Sequence, residues 1–342
     1  MPRLAPSVFG RFPRGSLEGT AAAACIFIGI LSAQPAAAQT AGYPSKPLHV
    51  LVPFPAGGAA DVLARVIGEK LAESWRVPVL VENRSGAGGT IGMAAARQMP
   101  SDGYNFSLMS NSIAVSQVLY PKLPYDIQKD FLPVYLIGDS PIVIAAHPRT
   151  GITSIAQLLR EAKQEPGRMS YASCGVGTAH HLAMEVLKAR AGASILHVPY
   201  RGCAPAVSDA AGGQVDLVVS SAPSILPYAS TGRLRAVAVT NARRATSAPS
   251  IPTVAESSIP ELKSFVIGNW YGFMAPLGTP AELIAKFDAD TRGTLQTPEV
   301  QKKLSAAGIE VRLGTAKDLA AALDADVRQF RQVVESAQIK PE

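Results

Sequence analysis

The chain has 342 residues, 47% hydrophobic and 17% charged, with a net charge of +6 at pH 7. This balance is that of a globular chain and excludes disorder along its length. Aromatic residues make up only 6% and no run of Lys or Arg concentrates the charge, which argues against nucleic-acid binding.

Chain order starts with Arg3, Arg11 and Arg14, a mostly apolar run over 20–33, and the small residues Ala36, Ala37 and Ala38. That order reads as a secretory signal over 1–38, cleaved between Ala38 and Gln39. The apolar run falls short of the roughly 20 residues needed to span a bilayer. Cys25 lies inside the run behind Ala22, unlike a lipid-modified cysteine, which follows it. The remaining 304 residues carry a net +4 and suffice for two domains of about 150 residues. Cys174 and Cys203 remain, without metal-ligand spacing, in a compartment that is oxidising if the chain is exported.

Short apolar runs at 48–54, 77–82 and 106–110 read as buried strands, alternating with helical patterns at 61–75 and 90–99. Such alternation implies a parallel sheet with right-handed crossovers. The pattern restarts with strands at 169–173, 195–200, 216–221 and 234–240, and helices at 178–191, 204–211 and 223–229. Longer extended segments at 136–147 and 265–275 sit where the chain crosses between units. The tail reads as helices at 280–295, 298–306 and 316–337, the first two opened by proline, with a strand at 309–313. The expected fold is α/β with two lobes, the first from 39–142 plus 270–342 and the second from 143–269, with a ligand cleft between them.

Glycine-rich junctions carry the strongest functional signal. Val52-Pro53-Phe54-Pro55-Ala56-Gly57-Gly58-Ala59-Ala60-Asp61 joins a strand to a helix start. There the first helical N–H groups lack internal partners and the helix dipole favours negative charge. Gly57 and Gly58 let backbone approach a ligand closely, and Asp61 is expected to turn toward backbone N–H groups rather than into the cleft. Ser85-Gly86-Ala87-Gly88-Gly89-Thr90 and Ser173-Cys174-Gly175-Val176-Gly177-Thr178 repeat the arrangement, one in each lobe. The three together suit a carboxylate-bearing molecule, whereas any one alone reads equally as an ordinary turn. No lysine follows these glycines, and Ile91 and His180 stand where a dinucleotide motif requires glycine, so both phosphate-binding patterns fail.

Other candidates keep two readings each. Cys174 beside His180 and His181 invites a thiolate nucleophile, yet no third member accompanies them. Asp216 is either a turn aspartate or a contact for a ligand amine or hydroxyl. Trp270 and Tyr271 form either a cleft wall or core, and Arg201 pairs with a carboxylate or sits at the surface.

Tyr43-Pro44-Ser45-Lys46-Pro47, the Val52 to Gly58 segment with Asp61, Val81-Glu82-Asn83-Arg84, Asp102-Gly103-Tyr104, Val198-Pro199-Tyr200-Arg201-Gly202 and Gly213-Gln214-Val215-Asp216 run in order along the chain. Together they resemble the periplasmic solute-binding component of tripartite tricarboxylate transporters, the Bordetella uptake gene family. The resemblance implies a Venus-flytrap periplasmic-binding-protein fold and a monomer. It implies capture of a di- or tricarboxylate, acidic amino acid or related carboxylate without cofactor, metal or catalysis, and delivery to membrane permease subunits; signalling to a membrane histidine kinase is the alternative. The implied ligand set is Phe54, Ala56, Gly57, Gly58, Ala59, Ser110, Asn111, Ser173, Thr178 and Asp216. Cys174 and Cys203 depart from the family's usual small residues, and a disulfide between them within the second lobe is expected.

Overall fold

The apolar runs fold as the alternation requires. In the computed structural model, which describes residues 42–336 apart from Pro121, together with Gly10 and Ile339, the first lobe opens with β1 (Leu48–Val52), α1 (Ala59–Trp75), β2 (Val79–Asn83), α2 (Thr90–Arg97) and β3 (Asn105–Ser110). Apart from Gly10, the signal-peptide expectation lies outside the described residues. β1 pairs in parallel with β2 and β3. Helix α3 (Ser112–Leu119) follows β3 directly, and β4 (Phe131–Asp139) leads to β5 (Ile142–Ala146) across only Ser140 and Pro141.

The second lobe comprises α4 (Ile155–Gln164), β6 (Ser170–Ser173), α5 (Ala179–Ala191), β7 (Leu196–Pro199), α6 (Cys203–Ala211), β8 (Leu217–Ser221), α7 (Ala222–Ser230) and β9 (Arg235–Val239). The chain then returns through β10 (Trp270–Pro276), α8 (Ala281–Leu295), α9 (Pro298–Ala306), β11 (Glu310–Val311) and α10 (Ala316–Ser336). The sheets run β11-β4-β10-β3-β1-β2 and β7-β6-β8-β5-β9. The parallel pairing holds among the alternating strands, whereas β10 runs antiparallel to β3 and β4, and β5 antiparallel to β8 and β9. Each sheet keeps a parallel core of three strands, and the strand by which the chain enters each lobe, β5 in the second and β10 in the first, runs against it.

Two helices escaped the sequence pattern. In α4, Ser154 Oγ accepts from the Gln157 N–H at 3.2 Å, and Ile155, Leu158, Leu159 and Ala162 form one buried stripe. α3 has no side-chain cap and is buried on most sides, so its sequence shows little periodicity.

The crossings are tied to each other. Ser140 N–H donates to Asn269 O at 2.9 Å and Ser140 Oγ to Gly308 O at 3.0 Å. Thr240 N–H donates to Ile142 O and Ile267 N–H to Thr240 O, both at 2.9 Å. Helix α10 straps this region, burying Leu319, Leu323 and Phe330 in an apolar cluster that contains residues of both lobes. Trp270 Nε1 donates to Asp326 of α10 at 2.7 Å. Burial pushes the Asp326 carboxyl up to about 6, against opposing bonds from Trp270 and Asn111. Among the described residues no helix is long and apolar enough to cross a membrane.

Glycine marks where α2 presses on the first loop. A Cβ at Gly92 would lie 2.5 Å from Arg84 O and 2.6 Å from Pro53 Cα, whereas one at Gly293 of α8 meets nothing within 4 Å. Gly92→Ala is therefore expected to cost about 1–3 kcal/mol through overpacking, and Gly293→Ala to gain up to about 1 kcal/mol from helix propensity. Thermal denaturation checks the pair, and shifts of the same sign would refute the packing argument.

Candidate ligand cleft

β1 ends at Val52, and the chain turns through Pro53 to Gly58 before α1 starts at Ala59 with no side-chain cap. The amides of that first turn have no partner within the helix. Gly57, with φ +81°, donates its N–H to Asp61 Oδ2 at 2.9 Å, and Asp61 Oδ1 lies 2.9 Å from Arg65 Nε. Burial alone would raise the Asp61 carboxyl, but the bonds from Arg65 and the Gly57 amide hold it below the usual range. Asp61 thus faces the backbone, and it occupies one amide that would otherwise serve an anion. Ala56 and Gly57 are exposed, and Phe54, Gly58 and Ala59 are half-buried. Asn83 Nδ2 donates to Phe54 O at 3.1 Å, fixing the turn from the neighbouring strand.

The second lobe presents residues 174–178 from the end of β6. Ser173 Oγ lies 2.7 Å from His197 Nε2 and accepts from the Gly175 N–H at 3.2 Å. Thr178 Oγ1 donates to Gly175 O at 2.8 Å and accepts from the His181 N–H at 3.3 Å, capping α5. Both hydroxyls bond within the lobe and hold the loop's shape. The lobes meet at glycine. A Cβ at Gly88 would sit 3.2 Å from Gly177 O, and one at Gly202 3.6 Å from Pro55. Ala179 N–H donates across the interface to Ser112 Oγ at 3.2 Å.

Asp216 stands apart from the loops. It precedes β8 and accepts from Ser170 N–H at 2.9 Å, Ser170 Oγ at 3.1 Å and Arg149 at 2.9 Å. That is the amino end of the parallel strands, about 17 Å of strand length from the loops. Asn111 turns from the loops to donate to Gly268 O at 2.7 Å, whereas Ser110 ends β3 directly opposite Tyr271. Trp270 packs against α10, Tyr271 is buried in the first lobe, and Arg201 is exposed. Cys174 and Cys203 form a disulfide joining the loops after β6 and β7, which removes the thiolate a nucleophilic role requires. Two surface depressions of about 420 and 370 Å³ lie elsewhere, beside α4 and α5 and beside the crossing strands. They lack the glycine loops and place no candidate group together.

Sequence reasoning missed Ser112, Ser221 and His197. Ser112 and Ser221 stand where an apolar strand runs straight into a helix, a signal present in Val218-Val219-Ser220-Ser221-Ala222-Pro223. The His197 ring stacks on His181 with centroids 4.2 Å apart. Burial lowers both rings, His181 to about 4 and His197 to about 3, with like-charge repulsion from His181 adding to the second. An unfolded chain protonates these rings near 6.5, so it binds protons before the native state does. Stability is then fully present above that value and falls as pH drops toward 4. The melting temperature is expected to fall from pH 6.5 to 4.5 with a shallower slope in His197→Gln; an unchanged slope would count against the stack.

Comparison with known proteins agrees with this fold. Residues 63–339 match the model of the tripartite tricarboxylate transporter family receptor. Protein BugT of Bordetella pertussis is 38% identical over 278 residues, covering 81% of this chain and 84% of BugT. Rpa4515 of R. palustris, solved with adipate, superposes with a TM-score of 0.81 at 31% identity, over 88% of this chain and all of that one. MatC from Rhodopseudomonas palustris, solved with malate, gives 0.77 at 26% identity, over 85% of this chain and all of that one. The chain belongs to the tripartite tricarboxylate transporter receptor family, solute-binding proteins of the two-lobed periplasmic type.

Proposed function

We propose that the chain captures a small carboxylate between the loop after β1 and the loop after β6 and delivers it to membrane permease subunits. The observation that carries this reading is the meeting of glycine-lined strand ends from both lobes, with Gly88 against Gly177 and Gly202 against Pro55. Amides at the starts of α1 and α5 lie near this junction, and such groups favour anions. The relatives solved with adipate and malate support a carboxylate as the ligand class. The protein works as an exported, periplasmic monomer after loss of residues 1–38, with lobe boundaries at 142/143 and 269/270.

Capture needs no bond-making chemistry. A ligand that touches both lobes stabilises their closed arrangement by its differential affinity for it. Calorimetric titration with malate, adipate and succinate tests the reading, and absence of binding by every carboxylate tried would end it. Gly88→Val is expected to weaken binding at least ten-fold, because its side chain would press on Gly177 O and Ser116 Oγ. Wild-type affinity in that variant would remove the loop contact from the mechanism.

A further inference from the structure

The disulfide between Cys174 and Cys203 has a histidine for a neighbour. A ring nitrogen of His180 and the two sulfurs all lie within 4.8 Å of one another. Among the described residues this is the one cluster of three His, Cys, Asp or Glu side chains with ligand atoms close enough to share an ion.

The three positions do not depend on the bond between the sulfurs. β6 and β7 pair in parallel with Ser173 opposite Pro199, and Tyr200 N–H donates to Ser173 O at 3.2 Å. The segments that carry Cys174 and Cys203 are thus held side by side by the sheet, and the Cα atoms of the two cysteines are 4.3 Å apart. His180 belongs to the first turn of α5, which Thr178 caps. Opening the disulfide therefore leaves two thiols and an imidazole in one place.

The imidazole is divided as a metal ligand needs to be. His180 is 6% exposed. Its Nε2 lies 3.0 Å from Ser221 Oγ, whereas Nδ1 has no hydrogen-bond partner among the described residues. Buried polar atoms without a partner are uncommon. A ligating histidine gives one nitrogen to the metal and holds a hydrogen bond with the other, which fixes the ring. With the Nε2 proton donated to Ser221 Oγ, the Nδ1 lone pair is free. Two thiolates and one imidazole make a zinc site with an open fourth position. Bonds of about 2.3 Å to sulfur and about 2.0 Å to nitrogen set such atoms roughly 3.5–3.8 Å apart, inside the 4.8 Å that the cluster spans.

We propose that reduction of this disulfide opens a zinc site made by Cys174, Cys203 and His180, in which the metal takes over the link between the loops after β6 and β7. The reductant is a dithiol. Its thiolate attacks Sγ of Cys203, the half-buried sulfur at the first position of α6, and Cys174 leaves as a thiolate that takes up a proton. The reductant's second thiolate then attacks its own sulfur in the mixed disulfide and releases Cys203. The reductant ends as a disulfide, and its two electrons and two protons stay on the cysteines. Zinc displaces those two protons to solvent, and amides at the start of α6 favour the Cys203 thiolate. The site forms whether or not the cleft takes a carboxylate.

The test uses the full mature chain, reduced with dithiothreitol, desalted without oxygen and titrated with zinc against a chromogenic chelator. The expected result is one zinc per reduced chain, none on the oxidised chain, and affinity at least ten-fold weaker in Cys203→Ser and in His180→Leu. X-ray absorption of the zinc-loaded wild-type chain is expected to show two sulfurs at about 2.3 Å and an imidazole nitrogen at about 2.0 Å, which reports on His180 even where its variant does not fold. No zinc on the reduced chain, equal uptake by the oxidised chain, or sulfur without imidazole around the metal would overturn the site. So would unaltered affinity in either variant.

Discussion

The arrangement depends on the double crossing between the sheets. Ser140 and Thr240 hold the two crossing segments to each other through main-chain and hydroxyl bonds. With only two residues between β4 and β5, the sheets cannot drift apart, and the carboxyl ends of their parallel strands are brought to a common junction. The glycines at Gly88, Gly177 and Gly202 follow from that constraint. Backbones from two bodies come within van der Waals distance there, and a Cβ at Gly88 would hold them off.

The polar side chains around the loops serve mainly to hold them. Asp61 takes a loop amide, Ser173 links to His197, and Thr178 caps α5. The disulfide fastens the loop after β6 to that after β7, and both belong to the second lobe, so lobe movement stays free. A loop stiffened beforehand loses less entropy when a ligand arrives. Under the proposed function, recognition of a carboxylate rests with main-chain amides, which do not vary with residue type.

The alternation of strand and helix was legible because buried parallel strands and amphipathic helices leave different periods in the chain. α3 left none, since it is enclosed on most sides and uncapped. The glycine loops were legible as strand-to-helix junctions, and Asp61 was correctly turned toward the backbone. Asp216 was misplaced even though its position just before an apolar run marks the amino end of a strand, the wrong end for a cleft at the carboxyl ends. The bonds that hold Ser173 and Thr178 within the loop were not legible, because the rings and amides that engage them come from positions such as His197, 24 residues away.

The sheet orders also set when each lobe is completed during synthesis. The second sheet takes all its strands from residues 142 to 239 in one unbroken stretch. In the first, β10 lies between β3 and β4, so those two remain unjoined until residues 270–276 emerge. The lobe begun first is therefore finished last, and its contact order is the higher of the two, which places the slow step of folding in the lobe that carries the leading glycine loop.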